Sequence, residues 1–365
     1  MRGLGHQSFV DELARFADSV VDPRVTAIAR RSAAPLRVVV RGRRGVGRRT
    51  VARALDRAGG AWGISADLRV PSSAPDPGAA AVVYVVAEVI KPEDAHALAA
   101  AEHPVVAVLN KADLTGSLSG RGDAPIAAAR ARSADLSALV GVPVEPMIGL
   151  LAVALDDLDD GLWAALHALA TRPGAAACLD GSFAGFLAAG GPVPTGVRQR
   201  LLDTLDLFGT ALAVAAIRQG STPAQVLTLL RRVSGVDAVL AKIGALGAEV
   251  RYRRVLEAVG ELEALAVGGG GLGEQIGGFL SRDHTVVARM AAAVDLAEAA
   301  GLDADDSGLT DADRDLSTHL PRAVRWQRYS RASMSELHRT CGADIARGSL
   351  RLWSRARASL PGESW

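Results

Sequence analysis

Cysteine, lysine and aromatic residues are all scarce in this chain, and each shortage removes a class of answer. Cys178 and Cys341 are the two cysteines in 365 residues. They are too few for a disulfide scaffold or a cysteine-rich zinc site, and a reducing compartment suits them best. Only Lys91, Lys111 and Lys242 are lysine among the 41 basic residues, so a lysine inside a motif tells more than an arginine does. An excess of one charge sign is missing too. Forty-one basic residues against 40 acidic ones give a formal net charge of +1, which argues against a wholly basic nucleic-acid binder. Long hydrophobic runs are absent: Ala79–Ile90 falls short of the ~20 residues a membrane-spanning helix needs. Met1–Val10 lacks the basic-then-apolar pattern of a secretory leader. The expectation is a cytoplasmic protein that meets a membrane only from outside.

What is plentiful is core material. Apolar residues make up 49% of the chain, and the length predicts two or three domains. Ser8–Arg31 has helical periodicity interrupted at Asp22-Pro23, so residues 1–35 read as a leading helical segment. From Leu36 strands and helices alternate. Leu36–Arg41, Trp62–Val70, Ala80–Ala87, Pro104–Leu109 and Val142–Pro146 read as strands; Thr50–Ala58, Pro92–Ala101 and Ala127–Val140 read as helices. Alternation of this kind predicts a parallel sheet covered on both faces, here over residues 36–155. Beyond that only helical patterns remain. They are Asp156–Ala170, Gly196–Gln219, Pro223–Val233, Asp237–Leu246, Ala248–Val267, Ile276–Ala300 and Arg322–Arg357, which makes 156–365 an all-α bundle. Gly268–Gly273 reads as a flexible connector, since no strand precedes it.

Two motifs carry chemistry. The first is Gly42-Arg-Arg-Gly45-Val46-Gly47-Arg48-Arg49-Thr50, between a strand and a helix. A loop that cradles phosphate needs glycines so that backbone N–H groups can curl round an anion, and a helix N-terminus beneath it. The spacing G-x-x-x-x-G meets that need. Arg48 stands where lysine is usual, and Arg49 where a Ser or Thr hydroxyl would hold Mg²⁺. Thr50 comes one residue late, about 100° round the helix. The second motif is Asn110-Lys111-Ala112-Asp113, after the fourth strand. An aspartate there accepts two hydrogen bonds from the N1–H and exocyclic amine of guanine, a donor pair that adenine lacks. The lysine stem would lie across the base, and the asparagine would brace the phosphate loop. A tight turn and a helix-capping loop are the structural alternatives.

With both motifs in place the chain resembles the P-loop GTPases over about Leu36–Leu151. The resemblance implies an α/β P-loop GTPase-like fold that binds GTP or GDP. It implies phosphate contacts from Gly42, Gly45, Val46, Gly47, Arg48, Arg49 and Thr50, and guanine contacts from Asn110, Lys111 and Asp113. Ile148 and Gly149, in Pro146–Leu150, occupy the place of the family's last base-contacting segment. The long helical region, notably Leu207–Val214 and Ser234–Leu240, is similar to actinobacterial dynamin-like and isoniazid-inducible-type GTPases. That likeness implies a homologous GTPase partner or self-association.

The departures bear on mechanism. No D-x-x-G occurs between Ala61 and Ala79, and Asp76-Pro77-Gly78 is its nearest remnant. With no metal hydroxyl, metal carboxylate or switch, phosphoryl transfer loses the parts it depends on. The expectation is nucleotide binding with very slow or absent hydrolysis and doubtful need for Mg²⁺. A scaffold that binds no nucleotide, its loop empty or filled by its own arginines, is the rival reading. An active GTPase with unusual metal ligands is a third.

Nine arginines lie between Arg322 and Arg357, opposed only by Glu336 and Asp344 and interleaved with Trp326, Tyr329 and Trp353. A solvated helix face whose aromatics pack on the bundle accounts for them most simply; an anionic membrane surface, at the inner face of the cell membrane, or an acidic partner is the alternative, with nucleic acid the least favoured. The acidic run Asp156–Asp160 reads as helix-start chemistry rather than a metal site.

Overall fold

A computed structural model of the chain describes residues 5–68, 78–116, 124–172, 179, 182–268, 270–302 and 316–358. Two helices open it, α1 (Gly5–Val20) and α2 (Pro23–Ser32). They separate where Asp22-Pro23 predicts. The Asp22 carboxylate accepts the Arg24 N–H at 2.8 Å, and Pro23 takes the first helical position, where no N–H is needed.

The alternating part follows as β1 (Leu36–Gly42), α3 (Arg48–Gly59), β2 (Ile64–Leu68), β3 (Ala81–Val86), α4 (Pro92–Ala99), β4 (Val105–Asn110), α5 (Pro125–Val140) and β5 (Val144–Met147). The strands form one sheet in the order β2-β1-β3-β4-β5. β1 pairs with β3, β3 with β4 and β4 with β5, all parallel. Every residue of β3 and β4 is buried, which is why they read as unbroken apolar runs rather than alternating ones. From β1 the chain moves to β2 on one side and then to β3 on the other. The carboxyl end of β1, where the glycine loop begins, is therefore the switch point at which open α/β sheets take ligands.

Among the described residues the helices that come next are α6 (Gly149–Ala154), α7 (Asp160–Thr171), α8 (Phe183–Ala188), α9 (Thr195–Arg218), α10 (Pro223–Ser234) and α11 (Val236–Leu246). Leu151, Leu166, Leu201, Leu205 and Leu230 share one core with Ala112 and Ala129 of the sheet region. The boundary that the loss of strands suggests near residue 155 therefore falls inside a continuous core. A strand pattern marks where the sheet stops, not where its apolar covering stops. Residues Arg37–Ile243 make one compact unit, and Met1–Leu36 with Gly244–Trp365 make the other.

In the second unit α12 (Ala248–Val267), α13 (Gly271–Ser281), α14 (Asp283–Ala299), α15 (Leu316–Ala332) and α16 (Glu336–Ala358) join α1 and α2. Its core holds Phe9, Leu13, Tyr252 and Ile345, with Phe16 and Phe279 stacked at 4.4 Å between ring centroids. Two helices expected to be continuous are broken. Ile276–Ala300 divides at Arg282, whose backbone is extended. Arg322–Arg357 divides at 333–335, where the Ser335 hydroxyl accepts the His338 N–H at 3.4 Å and starts α16. The connector at Gly268–Gly273 is shorter than expected, because α13 already begins at Gly271; a Cβ on Gly273 would lie 2.7 Å from the Ala266 carbonyl oxygen. Among the described residues no helix is long and apolar enough to cross a membrane.

His6 on α1 is 8% exposed. Burial first, then the Arg251 and Arg254 charges, lower its pKa to about 4, against the opposing effect of a hydrogen bond that the ring donates to the Ser32 backbone. The unfolded imidazole takes a proton near pH 6.5 and the folded one only near 4. Stability is thus complete above that window and falls as pH drops through it. Between pH 7.5 and pH 5 this group removes about 2 kcal/mol. Urea unfolding at the two pH values checks this, and His6→Gln is expected to lose that part of the pH slope.

Candidate functional site

The glycine loop between β1 and α3 depends on backbone conformations that other residues resist. Gly42, Gly45 and Gly47 all have positive φ, at 139°, 88° and 89°. Gly42 also lies against β3, where a Cβ would come within 2.4 Å of the Val85 carbonyl oxygen. Gly47 is the N-cap of α3 and supplies no side chain to the helix end. The first N–H groups of α3 therefore face the loop without a side-chain acceptor, as an anion site requires.

Asn110 at the end of β4 ties this loop to the far side of the sheet. It is 4% exposed. Its Nδ2 donates to the Val46 carbonyl at 2.9 Å, and its Oδ1 accepts the Gly149 N–H at 3.0 Å. Gly47 admits the amide, because a Cβ there would lie 2.3 Å from Nδ2. Gly149 in turn lies beside Thr50 and Val51, whose methyls would be 3.5 and 3.4 Å from a Cβ on it. The glycine loop, the start of α3, Asn110 and Gly149 are thus one assembly.

Lys111 takes a left-handed backbone at φ 59° and leads into a single 3₁₀ turn, Ala112–Leu114. Its side chain is exposed. The Asp113 carboxyl is half-buried, and burial pushes its pKa up; the Asp206 charge raises it further while Lys111 lowers it. Among the described residues no cation pairs with Asp113. Asp206 interrupts α9 with φ 61° and places Leu205 and Leu207 in the core on either side of it.

The arginines of the loop divide. Arg48 is half-buried and its Nη1 donates to the Gly42 carbonyl at 3.0 Å. Arg49, in the hydroxyl position of the motif, is exposed. A guanidinium cannot ligate a cation, so this position does not fit Mg²⁺. Arg43 is held by Asp94, with Nε 2.9 and 2.8 Å from its two oxygens. Asp94 is 0% exposed and also accepts from the Tyr84 hydroxyl at 3.0 Å and the Lys91 N–H at 2.9 Å. Burial, then Asp94, pushes the Tyr84 hydroxyl up to about 12. The sequence motifs do not point to this clamp. Its only signals are a tyrosine in an otherwise aliphatic strand and an acid at the third position after Lys91-Pro92.

The remaining candidates are structural. Asp159 caps α7 through the Leu162 N–H at 2.9 Å, and Asp157 pairs with Arg53 and Arg57. Among the described residues no group of three or more His, Cys, Asp or Glu side chains is placed to hold a metal ion. Asp76 and Cys178 lie outside the described residues. Cys341 is buried and its thiol is pushed up to about 12 by burial. In the arginine-rich helices Trp326 is buried, with Tyr329 packed edge-on at 5.2 Å between centroids. Arg357 lies over the Trp353 ring, 5.5 Å from its centre.

Asn110→Ala is expected to leave the Val46 carbonyl and Gly149 N–H buried and unpaired, for a loss of about 2–4 kcal/mol. Urea unfolding checks this. Asn110→Asp keeps an acceptor for Gly149 but presents no donor to Val46, and should be destabilised comparably or more.

Comparison of the chain with protein-family models, with curated proteins and with solved structures returns no match.

Proposed function

We propose that this chain binds a guanine nucleotide, GTP or GDP, and hydrolyses it very slowly or not at all. The observation that carries the reading is the Asn110 side chain, which joins the Val46 carbonyl of the glycine loop to the Gly149 N–H. A loop suited to phosphate and a segment suited to a base are thereby held in one frame, at the switch point of a parallel sheet. The residues present fit the ligand. The loop and the start of α3 offer N–H groups to phosphate, and Arg48 and Arg49 supply positive charge in place of a metal. Asp113 keeps a half-buried carboxylate that feels the Lys111 charge but forms no ion pair among the described residues, and it would accept the paired N–H donors of guanine. Nucleotide in this site would be oriented; the sequence has no hydroxyl, carboxylate or switch segment in the motif positions that drive hydrolysis.

The rival reading is a scaffold whose loop holds no nucleotide. One observation favours it: Arg48 already donates to the Gly42 carbonyl within its own loop. Ligand binding on the first reading must compete with that bond or leave it in place.

Action through a homologous GTPase or a second copy, in the manner of a dynamin-like protein, rests on family resemblance alone. Cytoplasmic placement beside an anionic membrane rests on the scarce cysteines and on the arginine set between Arg322 and Arg357. Trp326 lies in the core, so attachment by the arginine-rich helices would be mainly electrostatic and strongly weakened by salt.

The test is thermal unfolding with added GDP or GTP. A binder at roughly one hundred times Kd gains about 2.7 kcal/mol, and the gain should not require Mg²⁺. Asp113→Asn should abolish the preference for GDP over ADP while leaving the unliganded melting temperature near its original value. No shift with either nucleotide supports the scaffold; a shift that needs Mg²⁺, or phosphate release at a normal GTPase rate lost in Asp113→Asn, supports an active enzyme.

A further inference from the structure

The base end of the candidate site is held from outside the sheet. The Ile148 N–H donates to the Ser234 carbonyl at 2.8 Å, and the next N–H along, that of Gly149, goes to Asn110. Ser234 is the last residue of α10, and Gly235 turns the chain into α11 with φ 75°. Gly235 rests directly on β5: a Cβ there would lie 2.4 Å from the Pro146 carbonyl oxygen and 3.5 Å from the Met147 Cα. Both the left-handed backbone and the close approach demand glycine.

The corner is braced within itself. The Ser234 hydroxyl donates to the Arg231 carbonyl at 2.6 Å and accepts the Val236 N–H at 3.3 Å. Arg231 grips Asp237 through Nε and Nη2, the shortest contact being 2.8 Å. Beside it opens a cavity of about 450 Å³ whose lining includes Ala112, Ile126, Glu145, Pro146 and Gly235. On that side Pro146 leans on the corner rather than on filled core.

We propose that the Ser234–Gly235 corner is a positioning element for the base end of the nucleotide site. Hydrogen bonds run from Ser234 to Ile148, and from Gly149 through Asn110 to Val46. The corner therefore sets the height of Ile148 and Gly149 at the base end, while the glycine loop keeps its own anchors in the approach of Gly42 to β3 and in the Arg43–Asp94 pair. It acts through these residues and touches no ligand. The proposal rests on the guanine-nucleotide reading above and adds that part of the recognition surface is set by the helical layer, not by the strand-end loops alone.

The experiment uses the full chain, with GDP and inorganic pyrophosphate as probes in isothermal titration. Gly235→Ala adds a Cβ and backbone strain; Gly235→Asn adds the Cβ while tolerating positive φ. Both variants are expected to weaken GDP about tenfold or more, since misplacement of about 1 Å is enough for that, with pyrophosphate affinity close to the original. A merely structural fault would lower both probes together, and equal losses overturn the proposal. So does a folded variant with unchanged GDP affinity. Where a variant does not fold, amide hydrogen exchange of the unaltered chain decides: GDP should slow exchange at Ile148, Gly149 and Val236, and no slowing at Ile148 and Val236 overturns the positioning role. An unaltered chain that takes up no GDP overturns the nucleotide reading and this proposal with it, whereas GDP binding indifferent to Gly235 overturns only the latter.

Discussion

A single buried amide, that of Asn110, holds the strand-end region together. β1 and β4 are separated by β3, so their ends lie about 9–10 Å apart at ordinary strand spacing. Loops leaving strands at that separation have no reason to share a geometry. Asn110 supplies one by using a donor on the Val46 carbonyl and an acceptor on the Gly149 N–H. A carboxamide offers both functions at once, on two different atoms and without charge. Because it is buried, neither partner has water as a substitute, and the arrangement is enforced by the penalty of leaving them unmade.

Around that contact the backbone packs by close approaches that only glycine permits. Gly42 against Val85, Gly47 against Asn110 and Gly235 against Pro146 each leave no room for a Cβ. The Arg43–Asp94–Tyr84 clamp fixes the opposite side of the loop through a carboxylate with three kinds of donor. A loop held on both sides is preorganised, which lowers the ordering penalty for any anion it receives. The same rigidity suits a scaffold, so the decision between the two readings turns on Arg48 and Asp113 rather than on the fold.

Much of this was legible in advance. The β-branched runs gave the strands because buried parallel strands are apolar on both faces. Asp22-Pro23, Gly42–Gly47 and Asn110–Asp113 marked a helix start and two strand-end loops through backbone chemistry that is local. What failed was non-local. Arg282 and Ser333–Ser335 interrupt stretches whose apolar period continues across the break, so periodicity alone could not find them. Trp326 and Tyr329 pack inward, as the reading of a solvated arginine face with its aromatics on the bundle expects, whereas the helix register that turns them there is a tertiary choice. The Asp94 clamp joins three elements, and no spacing rule connects them.

The amino-acid order by itself indicated the strands, most of the helices (not α6 or α8, nor the breaks at Arg282 and 333–335) and where glycine permits a sharp turn, since those follow from side-chain branching, capping and φ within a few residues. Tertiary structure alone decided that α6 to α10 share a core with the sheet region, that Arg43 belongs to Asp94, and that the α10–α11 corner supports Ile148. These are contacts between groups tens of residues apart in the chain. Their energy comes from burial and from hydrogen bonds that only a closed fold can bring within reach.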